Sequence, residues 1–139
     1  MRILKKVFKL FLILAFSLTV YSCDKTTTTR SYLDVDYSDF VGQFIEDAEE
    51  QLNMPENDYY IYYYGPDCYA CETVKAEVLD TLYRAKNVKV YLVTVTSSLD
   101  INPSSGVKGT PTIIRVTDNQ VSEFHEGSTA IKNMLNEIN

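Results

Sequence analysis

Residues 59–71 read Tyr59-Tyr60-Ile61-Tyr62-Tyr63-Tyr64-Gly65-Pro66-Asp67-Cys68-Tyr69-Ala70-Cys71, and they set the reading of everything around them. The first six are a continuous aromatic and β-branched run, which has high strand propensity. Apolarity that is continuous rather than alternating predicts a strand covered on both faces, hence a central one. Five tyrosines in six residues are therefore read as core rather than as an aromatic binding face. Tyr64, nearest the cysteines, is the exception and a candidate contact. Gly65-Pro66-Asp67 turns the chain. Residues 68–84 then read as a helix whose apolar stripe is Cys71, Val74, Val78, Leu79 and Leu82.

Cys68 and Cys71 thus lie where a central strand gives way to a helix. At a helix start the backbone N–H groups are unpaired and the macrodipole is positive, so a thiolate at Cys68 is stabilised. The thiolate is the nucleophilic form. Cys71, one turn further in, can reach the same sulfur. Cys68 would attack a partner disulfide and Cys71 would resolve the mixed disulfide. Three other readings stay open. A structural disulfide suits an oxidising compartment. Half of a metal site is the second, although a tetrahedral site needs four ligands and, with Cys23 acylated, only Cys68, Cys71 and His125 remain. Coincidence of two nearby cysteines is the third.

Outward from this stretch, residues 88–96 predict a second strand and 97–109 a polar loop. Residues 112–117 form a third strand, 118–120 a turn, and 121–125 a fourth strand. A final helix follows Gly127-Ser128 with Ile131, Met134, Leu135 and Ile138 inward. Upstream, Ser38 is placed as the cap of a helix with the stripe Phe40, Val41, Phe44, Ile45, Ala48 and Leu52. The order αβαβ then ββα implies an α/β fold, a mixed sheet of four to five strands between layers of helices.

Three stretches resemble the thioredoxin family over residues 38–139. They are the strand into Cys68-x-x-Cys71, the segment Gly106-Val107-Lys108-Gly109-Thr110-Pro111-Thr112, and Phe124-His125-Glu126-Gly127 leading into a terminal helix. The resemblance implies a thioredoxin-like three-layer sandwich and dithiol–disulfide exchange through Cys68 and Cys71, with no cofactor and no metal. It also implies a cis peptide before Pro111, a loop that abuts the cysteine pair, and backbone pairing of Thr110 with a bound substrate strand. The chain departs from the family in three places. Tyr62 stands where thioredoxins often bury an aspartate, Asp67 replaces the aromatic residue before the first cysteine, and Tyr69-Ala70 replaces Gly-Pro. Asp67 and Glu72 are read as solvated carboxylates, and Asp67 would tend to raise the Cys68 pKa by like charge. These changes point to a specialised extracytoplasmic member. The tyrosine run with Pro-x-Cys-x-x-Cys also resembles thioredoxin-like accessory proteins of Gram-positive bacteria, some linked to bacteriocin export.

The amino terminus carries an address. Arg2, Lys5, Lys6 and Lys9 precede the short apolar run 10–20, the form of a secretory signal, too short for a transmembrane helix of about 20 residues. Val20-Tyr21-Ser22-Cys23 resembles a bacterial lipobox, in which the cysteine is acylated and cleavage falls before it. The expected organisation is a signal peptide over 1–22, lipidated Cys23 with a polar tether over 23–36, and a thioredoxin-like domain over 37–139. That places the domain on the extracytoplasmic face of the cell membrane, held by its lipid. Its expected partners are the thiols and disulfides of exported proteins, with room for a membrane redox partner. A redox-inert binding scaffold with a permanently closed cysteine pair is the rival. The chain's net charge is −6, which argues against a nucleic-acid partner, because phosphate binding needs a basic surface.

Overall fold

The computed structural model describes residues 34–138. The aromatic run forms β1 (Asp58–Tyr64), and its residues 59–63 are all buried. The remaining strands are β2 (Val90–Thr94), β3 (Thr112–Thr117) and β4 (Gln120–Glu126), in the sheet order β2-β1-β3-β4. β1 is internal, as its unbroken apolarity requires. It runs parallel to β2, with Tyr62 opposite Leu92, and antiparallel to β3, with Tyr62 opposite Ile113. β3 turns into β4 through Asp118 and Asn119, whose φ angles of 51° and 62° are the left-handed pair a two-residue hairpin uses. The family fold expected from the sequence is the one observed, a four-stranded mixed sheet flanked by helices.

Alternate residues of β1 feed opposite faces. Tyr60 and Tyr62 join Leu92, Ile113 and residues of the helices α2 (Lys75–Arg84) and α3 (Ser128–Ile138). Tyr59, Ile61 and Tyr63 join Val93, Ile114, Val116, Ile45 and Val107 on the other face. That second face is covered by short 3-10 turns and connecting loops.

The helix expected over 68–84 is present in two pieces. A four-residue helix α1 (Tyr69–Glu72) is followed by α2, with Thr73 and Val74 between them. The Thr73 hydroxyl donates to the Ala70 carbonyl at 2.8 Å, a side-chain bond that competes with the helical ladder at the break. The stripe Cys71, Val74, Val78, Leu79 and Leu82 is buried as expected.

The single helix expected over 38–52 is not formed. Its place is taken by 3-10 turns at Tyr37–Gln43 and Ala48–Glu50, the first capped by Asp36 rather than Ser38. Between them Phe44 bridges Leu92 in parallel, and the Ile45 N–H donates to the Leu92 carbonyl at 2.9 Å. The segment passes the outer edge of β2 like a one-bridge fifth strand. Phe40 and Phe44 pack on one face of the sheet and Ile45 and Leu52 on the other, while Val41 is exposed. The apolar residues looked like one helical stripe because two sets, bound for two faces, interleave in sequence. Gly42, a poor helix residue, stands in the middle.

No helix among the described residues is long and apolar enough to cross a membrane. The signal segment, Cys23 and the tether up to residue 33 lie outside the described residues. Val35 already packs on the core, and Asp36 pairs with Lys75 at 3.1 Å.

Candidate functional site

β1 ends at Tyr64 and Gly65 follows, with no room to spare. A Cβ there would stand 3.3 Å from Cys68 Cβ, 3.4 Å from Thr110 Oγ1 and 3.5 Å from the Val95 carbonyl. Gly65 is therefore the point where three segments close on one another. Its missing side chain lets the cysteine turn and the Thr110 loop approach. By sequence Gly65 predicts only a turn; the Gly-Pro ending just before Asp67-Cys68 is the sign there of a tight approach.

Cys68 and Cys71 are joined in a disulfide with their Cα atoms 5.2 Å apart. Cys68 occupies the N-cap of α1, and its sulfur accepts the Cys71 N–H at 3.1 Å. The expectation of an N-terminal N–H directed at this sulfur is met, though a four-residue helix supplies a local contact rather than a long dipole. Cys68 is half-buried, whereas Cys71 is 3% exposed. The pair thus offers one accessible sulfur and one sequestered sulfur. Asp67 and Glu72 on either side are exposed, as read, and Tyr69 between the cysteines is 85% exposed.

The Thr110–Pro111 peptide is cis, as the family resemblance implied. Pro111 is buried and its carbonyl accepts the Gly127 N–H at 2.9 Å, which ties the loop to the turn before α3. Thr112 closes the loop on itself by donating its hydroxyl to the Gly109 carbonyl at 2.8 Å. The ladders of β3 begin at Thr112, so Thr110 stands outside the sheet pairing.

Tyr64 is half-buried. Its ring centroid lies 4.4 Å from that of Tyr37, and its hydroxyl accepts from Thr94 at 3.0 Å. Tyr62 and Tyr37 lie below it with buried hydroxyls that make no well-formed hydrogen bond. Burial pushes both phenols far above their ordinary pKa; Tyr62 further opposes ionisation of Tyr37, whereas Tyr37 partly offsets the rise at Tyr62. Neither hydroxyl is a base near neutral pH, so Tyr62 does not reproduce the chemistry of a buried aspartate. His125 sits on the edge strand β4, separated from β1 by β3, with Nε2 at 3.4 Å from Glu123 Oε2. No group of three or more His, Cys, Asp or Glu side chains converges as metal ligands among the described residues.

A family profile described as thioredoxin matches residues 43–139. No curated protein sequence matches the chain. Among solved structures, the oxidized form of mitochondrial thioredoxin 3 from Saccharomyces cerevisiae superposes with a TM-score of 0.58 at 19% identity, covering 78% of this chain and 99% of that one. Thioredoxin from Trypanosoma brucei brucei gives a TM-score of 0.57 at 19% identity, over 68% of this chain and 88% of its own. Malassezia sympodialis thioredoxin (Mala s 13) gives 0.54 at 17%, over 69% and 89%. These likenesses establish the shared fold. Sheet order, cysteine turn and family match agree on one class, an α/β sandwich carrying a Cys-x-x-Cys disulfide at a strand–helix junction. The chain belongs to the thioredoxin family.

Proposed function

We propose that the protein is an extracytoplasmic, lipid-anchored thiol–disulfide oxidoreductase acting on the cysteines of exported proteins. The observation that carries the chemistry is the asymmetry of the disulfide, with Cys68 reachable and Cys71 enclosed at the head of α1. A client thiolate attacks Cys68 Sγ, the Cys68–Cys71 bond breaks, and Cys71 departs as thiolate. The client's second thiolate then displaces Cys68 Sγ. The client closes its own disulfide and two electrons pass to the protein. The reverse sequence reduces a client disulfide, and neither direction requires a cofactor. Thr110 and Pro111 would flank the client, with the unpaired backbone at Thr110 as the strand-pairing edge and Tyr64 at the margin.

Substitution separates the two sulfurs. Cys68→Ser should abolish oxidation of a reduced dithiol peptide. Cys71→Ser, offered the disulfide form of that peptide, should trap a mixed disulfide, the Cys68 thiolate attacking one peptide sulfur and the other leaving as thiolate. Full exchange by Cys68→Ser would refute the mechanism.

The location rests on the order of basic start, apolar run and Val20-Tyr21-Ser22-Cys23. In a bacterial host the full chain should take up labelled fatty acid at Cys23 and sediment with membranes. Label retained in Cys23→Ala would contradict lipidation at that residue.

A further inference from the structure

Tyr69 is 85% exposed, an aromatic ring held in water between the two halves of the disulfide. Glu72 follows three residues later on the same short helix, a spacing that places side chains on one face. Asp67 immediately precedes Cys68, and both carboxylates are exposed. An aromatic face beside carboxylates is the chemistry that receives an ammonium or guanidinium group. The nearest basic side chain along the chain, Lys75, is already engaged by Asp36 at 3.1 Å and lies over the Tyr37 ring; Lys108, two residues before Thr110, is exposed. A cation would be drawn to the Tyr69 side and discouraged from the Thr110 side. The whole domain adds to this bias. Residues 34–138 hold 7 basic and 18 acidic side chains, a net charge of −11.

Resting on the exchange reading above, we infer that the clients are cationic segments, with a lysine or arginine close to the reacting cysteine resting on the Tyr69 ring. The long-range field speeds their arrival and the ring fixes the residue beside the sulfur. Tyr69 is a specificity-determining residue in this scheme.

Two reduced dithiol peptides, identical except for arginine or glutamate flanking the cysteines, test it against the oxidised full chain. Both meet the same protein disulfide, and each rate is divided by that peptide's rate with a small uncharged disulfide, which removes the effect of the flanking charge on its own thiol. The arginine peptide should react about tenfold faster at low salt, the lower end of electrostatic steering. The ratio should shrink in 1 M salt, where the Debye length is about 3 Å. It should also fall towards one in Tyr69→Leu and in Glu72→Gln. Equal rates for the two peptides would overturn the inference and leave the exchange reading standing. A protein that exchanges with neither peptide nor dithiothreitol would overturn both.

Discussion

Gln51 is fully buried, yet its polar atoms are all engaged. Its amide nitrogen donates to the Asp100 carbonyl at 2.7 Å, and its Oε1 accepts from the Tyr63 hydroxyl at 3.0 Å and the Asn102 N–H at 2.8 Å. Its own carbonyl accepts from the Tyr59 hydroxyl at 2.9 Å. One side chain thus joins the 48–50 turn, the core strand and the loop after β2. Gln51→Leu keeps the volume but orphans the partners, each at about 1–3 kcal/mol and not additively. We expect a loss of about 2–4 kcal/mol in urea unfolding, and a loss below about 1 kcal/mol would show that the bonds matter little. Nothing in the sequence marks Gln51, because a glutamine beside acidic residues reads as solvated. The cysteine pair at a strand–helix junction was legible from local spacing, and the cis peptide before Pro111 from the family resemblance. Gly65 was missed because close approach of Cys68 and Thr110 is a property of three dimensions.

Elements whose identity depends on local pattern came out as read, and those decided by tertiary partners did not. β1 and β3 were plain from their apolar runs, whereas the residues at 38–52 serve two faces of the sheet and so imitate a helical stripe. Between strands, Arg115 on β3 reaches Asp58 on β1 and Glu123 on β4, each at 2.7 Å. Hydrogen bonds from Arg115 hold both carboxyls below their usual range. A carboxyl depressed in the folded state stabilises fully above its unfolded pKa of about 4, and that contribution disappears as pH falls through the lower folded value. The groups are over a third exposed, so solvent limits the clamp to about 1 kcal/mol or less. Arg115→Met should therefore be less stable than the parent at pH 7, with the gap closing near pH 2 in thermal unfolding. A gap of undiminished size at pH 2 would mean that Arg115 acts by packing instead, for instance through the Tyr60 ring 5.6 Å away.

Across the whole molecule, one face of the sheet carries α-helices and the other is closed by short turns and loops, so the site stands at the end of a well-buried central strand. Tyr59, Tyr62 and Tyr63 supply the bulk in a chain without tryptophan. The fold was legible at this scale because alternating helices and strands leave few arrangements. The charge bias was legible too, since acids outnumber bases along the described chain. The central claim is that the Cys68–Cys71 disulfide opens and closes in use. The most direct test is its reduction potential in the purified protein, titrated against glutathione. We expect a reversible transition, with a potential between the strong-oxidant value of roughly −120 mV and the reductant value of roughly −270 mV known for exchange proteins. A disulfide that no glutathione buffer reduces would contradict the account and leave a closed scaffold in its place.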